Sequence, residues 1–255
     1  MFPQTHHIEC VATLSLKPDT SRIILASASP RRRELLGGLG IQFDVAPSNI
    51  PEDQLPGETP TDMVRRLSRE KALASAAADN GQHGYFIAAD STVVLDGESI
   101  AKPLDVDDAR AMLRRLWGTQ HQVVTGMTIL DASTGRCITE SMSADVAMRE
   151  FTDAEMESSI ASGTPMDKAG AYAIQDDEFR PASMLNGCYP NVMGLPVCRV
   201  VEILAELGCS TPDWADMTVP HGCLGKCPFQ SGDTSPGSGA TQRSAGATQC
   251  SGGMR

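Results

Sequence analysis

The stretch Ile23–Leu36, IILASASPRRRELL, decides how the chain is read. It opens as a strand, with Ile23, Ile24 and Leu25 as a short apolar run, and closes as a helix. Ser29 is a good N-cap, and Pro30 suits the first helical position, where no backbone donor is needed. Arg31, Arg32 and Arg33 then fill the first turn, at the positive end of the helix dipole, where cations are unfavourable. An anion at that end removes the conflict. Backbone N–H groups, the Ser27 and Ser29 hydroxyls and the side chains of Arg31 and Arg32 would converge on a polyphosphate. The plain alternative is a solvated basic helix start with an ordinary serine cap.

The remainder alternates strand and helix. Ile41–Ala46 has the period of a half-buried strand, and Pro47–Pro60 is an acidic loop carrying Glu52. Thr61–Ala78 is expected to be helical, closed by Asn80, Gly81 and Gly84. Tyr85–Leu95, YFIAADSTVVL, is a buried strand interrupted by Asp90, Ser91 and Thr92; a carboxylate there is costly without a partner or a task. Asp96-Gly97 turns the chain into Ser99–Ala101. Asp105 and Asp108 start a helix with Val106, Ala109, Met112, Leu113, Leu116 and Trp117 as its apolar face. Gln122–Leu130 and Ile138–Met148 are strands about the turn Asp131–Arg136, and Thr152 with Glu155 is a capping box. Met166–Phe179 is polar and irregular, and Pro196 opens a last helix. The pattern predicts an α/β fold with a mixed sheet flanked by helices. Three parts are expected: an extension over 1–21, one domain over 22–208, and a low-complexity, mostly disordered tail over 209–255.

Composition narrows the function. The chain has 255 residues and a formal charge of −11, which argues against a duplex nucleic-acid binder. No apolar run has the length of a membrane span, and the first residues do not read as an export signal. The eight cysteines are therefore expected to be reduced thiols of a cytoplasmic protein. His221, Cys223 and Cys227 are only loosely zinc-like in spacing. No glycine-rich phosphate loop of the dinucleotide or P-loop kind occurs.

Four segments carry the candidate chemistry: Ser27, Ser29, Arg31 and Arg32; Glu52 with Lys71; Asp90; and Lys102 with Lys168 and Gln175. Cations to hold phosphate oxygens and carboxylates to hold Mg²⁺ or a water are what metal-assisted phosphoryl or nucleotidyl transfer needs. Singly, Lys71, Lys102 and Glu52 read more readily as solvated surface groups.

Six blocks now align in order: LASASPRRRELL (25–36), GETPTDMVRRLSREKA (57–72), AADSTVVLDGE (88–98) with AKPLD (101–105), HQVVTGM (121–127), DKAGAYAIQ (167–175) and NVMGLP (191–196). Together they resemble the Maf family of nucleoside triphosphate pyrophosphatases, distantly similar in fold to inosine triphosphate pyrophosphatases. The resemblance implies hydrolysis between the α and β phosphates, assisted by Mg²⁺ or, in its place, Mn²⁺ or Co²⁺. It implies Asp90 as general base, Glu52 (with Asp90) beside the metal, and Arg31, Arg32, Lys71 and Lys102 on the triphosphate. Positions matching Arg31, Ser91 and Gln175 tell nucleotides apart. KAGAYAIQ is similar to the branch acting on dTTP, UTP and related pyrimidine nucleotides, in which Thr is commoner at Ser91. The same chemistry on 7-methyl-GTP is the alternative, and a nucleotide-binding regulator of septum formation is another. The resemblance also suggests a homodimer. Neither a nucleic acid nor a membrane is an expected partner.

Overall fold

The structure, a computed structural model, describes residues 22–79 and 83–210 together with the strand 246–249. At its centre β1 (Ile23–Leu25) lies parallel to β2 (Asp44–Val45) and to β3 (Tyr85–Leu95). The other pairings are antiparallel. β3 pairs with β4 (Glu98–Ile100) and β5 (Gln120–Asp131), and β5 with β6 (Arg136–Met148). β6 in turn pairs with β7 (Ala182–Asn186) and β8 (Gly246–Gln249). The path through the sheet is β2-β1-β3-β5-β6-β7, so the expected mixed sheet is the one found.

Both faces of the inner strands are covered, which explains why they read as continuous apolar runs. Alternate residues serve opposite layers. Ile23, Leu25, Ile87 and Ala89 pack beneath α1 (Pro30–Gly37) and α6 (Val197–Glu206), through Leu35, Leu36, Val200 and Leu204. Ile24, Ala26, Phe86 and Ala88 pack against Ala72 and Ala76 of α2 (Pro60–Ala78). Beyond Asp90 a separate core gathers Val93, Val123 and Val146 with α3 (Val106–Leu116) and α4 (Asp153–Ala161). Asp90 therefore lies between two apolar clusters, where β3 passes from one to the other.

The caps fall where the side chains predicted them. The Ser29 hydroxyl accepts from the Arg32 N–H, Asp105 accepts from the Asp108 N–H, and Thr152 with Glu155 forms the full capping box. Among the described residues no helix is long and apolar enough to cross a membrane.

Several expectations need correction. The strand at 41–46 shrinks to Asp44–Val45, because only Ile24 and Leu25 offer it parallel partners. Val106 and Trp117 end the α3 apolar face in solvent, each more than two-fifths exposed; the Trp117 indole instead donates to the Phe151 carbonyl. β7 and α5 (Tyr189–Met193) occupy a stretch with no expected element. The expectation of a mostly disordered tail is not among these: of its residues the structure describes 209, 210 and 246–249, with Cys209 buried in the α6 core. Gly246–Gln249 forms β8, pairing with the end of β6 that β7 does not reach. A vacant strand edge accepts backbone of almost any sequence. Cys137 is disulfide-bonded, contrary to the all-reduced reading. Residues 1–21 and the set His221, Cys223 and Cys227 lie outside the described residues.

Candidate active site

The site starts at the exit of β1. After Leu25 the chain stays on the sheet for one more bond, Ala26 N–H to the Ile87 carbonyl at 2.8 Å, and then turns into α1. Within that turn Ser27 Oγ accepts from the Ser29 N–H at 3.3 Å and from Arg32 Nη1 at 3.2 Å. A hydroxyl that accepts twice keeps its own proton to donate.

Ser27, Ser29, Arg31, Arg32, Glu52, Lys71, Asp90, Ser91, Lys102 and Lys168 all line one cleft of about 740 Å³. At its floor is Asp90, only 8% exposed, delivered by the middle of β3. Lys71, from the buried face of α2, reaches it: Nζ donates to Asp90 Oδ1 at 2.6 Å and lies 2.6 Å from Glu52 Oε1. One ammonium thus joins the two carboxylates, answering what a carboxylate does in so apolar a strand. Lys102 follows at 3.7 Å from Glu52 Oε2, on the exposed side. Burial would raise the Glu52 carboxyl, but the hydrogen bond and charge of Lys71, backed by Lys102 and Arg32, hold it below the ordinary carboxylate range.

The arginines form the opposite wall. Arg32 Nε donates to the Gly194 carbonyl at 2.8 Å and Nη2 to Ser91 Oγ at 3.1 Å. With the bond to Ser27, three of its donors are fixed by protein and the rest of the fork is left for a ligand. Gly194 sits at φ +116°, a conformation that L side chains rarely adopt, and this aims its carbonyl at the guanidinium. Behind Ser91 a buried relay continues through Thr125 Oγ1 at 2.8 Å to the Asn191 carbonyl at 2.9 Å. Burial pushes Arg31 and Arg32 below their ordinary values, against the pull of Asp167 and Asp90 respectively. Cations stripped of water in this way favour an anionic ligand.

Three expected residues are placed differently from their sequence reading. Ser91, a position the resemblance puts among those that tell nucleotides apart, gives its hydroxyl to Arg32 as acceptor. The Lys168 ammonium is turned onto Asp167 and the Thr164 carbonyl, both at 2.5 Å. Gln175 is outside the cleft, in an adjoining cavity of about 610 Å³ that shares Arg31, Asp167 and Lys168 with it. Its Oε1 is buried and without a hydrogen-bond partner. Sequence reasoning missed Asp167, Thr125 and the Gly194 carbonyl. Thr125 carried the same signal as Asp90, a polar residue in an apolar strand; a main-chain carbonyl carries none.

Among the described residues no group of three or more His, Cys, Asp or Glu is placed to hold a metal. Glu52 and Asp90 nonetheless meet at one ammonium on an open cleft. A pair of carboxylates suits Mg²⁺, which binds through one or two carboxylates plus substrate phosphates rather than in an all-protein cage.

Comparison with known proteins places the chain among relatives. The dTTP/UTP pyrophosphatase of Geobacter metallireducens is 47% identical over 191 residues, covering 75% of this chain and 98% of its own. That of Geobacter sulfurreducens is 45% identical over 190 residues, with 74% and 98% covered. That of Hahella chejuensis is 42% identical over 200 residues, with 78% and 98% covered. The family described as Maf-like protein matches residues 22–207, which hold strands β1–β7 and every residue lining the cleft, and the chain belongs to the Maf family.

Proposed function

We propose that this chain hydrolyses dTTP, UTP and related pyrimidine triphosphates to the monophosphate and pyrophosphate. The observation that carries the reading is the Lys71 bridge between Asp90 and Glu52, at the floor of a cleft walled by Arg31 and Arg32. Asp90 is the general base. Its orientation is fixed by Lys71, and it accepts the proton of the attacking water. The new P–O bond forms as the α–β phosphoanhydride bond breaks. Arg31, Arg32 and Lys102 take up the charge of the departing pyrophosphate, and Asp90 returns its proton to solvent. A bound Mg²⁺, with Mn²⁺ or Co²⁺ as substitutes, would be held by Glu52 and Asp90 and would supply Lewis acidity to the phosphate oxygens and the water.

Base choice falls to Gln175, whose unpartnered Oε1 matches a donor, and whose amide N–H groups match an acceptor, on a pyrimidine edge. Arg31, at the seam of the two cavities, accompanies it; Ser91 acts through Arg32. Free nucleotides as substrates make the cytoplasm the expected compartment.

The test is pyrophosphate release with Mg²⁺ from dTTP, UTP, CTP, 5-methyl-UTP, 7-methyl-GTP and ITP. Turnover concentrated on dTTP and UTP is expected. Turnover confined to 7-methyl-GTP would keep the chemistry and overturn the role of Gln175. Tight binding of every nucleotide without turnover would overturn the enzyme and leave a nucleotide-binding regulator.

A further inference from the structure

Of the two carboxylates, Asp90 is held by the sheet, whereas Glu52 comes from a segment with neither helix nor strand between β2 and α2. Ile50 packs on Met63, Val64 and Leu67 of α2, but residues 51–57 are all exposed, so apolar burial does not fix the stretch that carries Glu52. Hydrogen bonds do, and they converge on one side chain of α2. Arg66 Nε donates to Glu58 Oε1 at 2.7 Å and Nη2 to Glu58 Oε2 at 2.8 Å, a two-pronged pair. The same Nη2 donates to the Asp53 carbonyl at 2.9 Å, on the residue next to Glu52. Glu58 Oε2 also accepts from the Leu55 N–H at 3.0 Å, and the Glu58 carbonyl accepts from Gln54 Nε2 at 2.7 Å. The segment is thereby closed into a small ring of bonds.

Exposed ion pairs usually contribute little, but this pair is forked and screened from water, with side chains 22% and 10% exposed. Lys71 lies on the same helix, about one and a half turns further on. α2 thus grips the loop by its backbone through Arg66 and receives its carboxylate through Lys71.

We propose that Arg66 is the positioning residue for Glu52: through Glu58 and the Asp53 carbonyl it fixes the loop that presents Glu52 to Lys71 and Asp90. The inference rests on the reading of Glu52 as the metal-associated carboxylate. Arg66 touches neither Glu52 nor Asp90, so its loss alters the entropy of assembling the metal site and leaves the chemical step intact.

The decisive variants are Arg66→Lys, which keeps the charge but cannot hold both acceptors, and Glu58→Gln, which weakens the fork from the loop side. Glu70→Gln is the control, because the Arg66–Glu70 bond at 3.1 Å does not reach the loop. Mn²⁺ is titrated by paramagnetic resonance into protein saturated with α,β-methylene-UTP, beside a nucleotide-only blank. Pyrophosphate release from UTP is followed against Mg²⁺ concentration. Both loop variants should lose about tenfold in Mn²⁺ affinity, the scale of an outer-shell ligand contact, and need correspondingly more Mg²⁺. Their kcat at saturating Mg²⁺ should stay within about twofold of wild type, and Glu70→Gln should match wild type throughout. Wild-type Mn²⁺ affinity in Arg66→Lys, whatever its melting temperature, would overturn the proposal. Should that variant fail to fold, Glu58→Gln decides on the same readouts. A wild-type protein that neither binds Mn²⁺ nor releases pyrophosphate would instead overturn the underlying reading of Glu52, and the clamp with it.

Discussion

Gly126 couples the sheet to the chemistry, and replacing it with alanine is the sharpest structural perturbation available. In β5 it stands directly opposite Asp90 of β3. A Cβ built there would lie 2.2 Å from the Val64 carbonyl oxygen and 2.7 Å from the Arg65 backbone nitrogen, both on α2. Real Cβ atoms essentially never approach within 3.0 Å, and the obstacle is helix backbone rather than a side chain that can swing away. The helix must therefore retreat by about 1 Å, and with it Lys71, whose bonds to Asp90 and Glu52 are both 2.6 Å. A retreat of that size takes the contact to sheet-held Asp90 out of hydrogen-bond range, while Glu52, tied to α2 through Arg66, moves with the helix. Overpacking of this kind costs about 1–3 kcal/mol, or roughly 2–12 °C in melting temperature for a domain of this size. A misplacement of about 1 Å in a catalytic site costs on the order of 10² in rate. Melting followed by calorimetry, with steady-state pyrophosphate release at saturating UTP, reads both quantities. Reduced stability with turnover within twofold of wild type would refute the argument, since the seat of α2 would then not set the Lys71 bridge.

Other outcomes follow from individual contacts. Lys71→Met leaves Glu52 and Asp90 facing each other without their shared counter-ion, and kcat/KM for UTP should fall by about 10²–10³; a loss below tenfold would contradict the bridge. His121 is buried, with Nε2 2.6 Å from the Tyr172 hydroxyl and Nδ1 unpartnered, and burial pushes its imidazole down to about 4. Between its unfolded value, about 6.5, and that folded value the unfolded chain holds the extra proton, so stability is full above the window and lost as pH falls through it. Urea melts at pH 7 and pH 5 should show wild type losing about 2 kcal/mol more than His121→Phe, and equal losses would refute the assignment. Arg199 forks onto Glu140 of β6 with both bonds at 2.7 Å, and Arg199→Ala should cost about 1–2 kcal/mol in a chemical melt with unchanged kcat, α6 being outside the cleft.

What the sequence made legible was whatever side chains encode locally. The Ser29 cap, the Thr152–Glu155 box and the full span of β3 are written in neighbouring residues. Asp96-Gly97 likewise marks its turn, and both residues adopt positive φ. The cleft was legible for a related reason: Asp90 and the arginines are each locally anomalous, one a charge in an apolar strand, the others cations at the positive end of a helix. Contacts between distant backbones were not legible. β7 and β8 fill edge positions on β6, where main-chain pairing requires no apolar pattern. The same limit applies to partner choice. Nothing near Ser91 in sequence shows that Arg32 takes its hydroxyl, and nothing near Gln175 shows a cavity separate from that of Asp90. Lys168 differs in kind, since its partner Asp167 is its own neighbour. That pairing is local and therefore legible from sequence.

Asp90 as the base is tested by turnover of UTP by wild type and Asp90→Asn, with nucleotide affinity determined in parallel. Asparagine keeps the shape and the hydrogen-bonding of the side chain toward its surroundings but cannot take a proton from water. The predicted result is a fall in kcat of about 10²–10⁴ with UTP still bound by the arginine wall. A variant that turns over UTP at the wild-type rate would contradict the assignment of Asp90 and, with it, the meaning given to the Lys71 bridge.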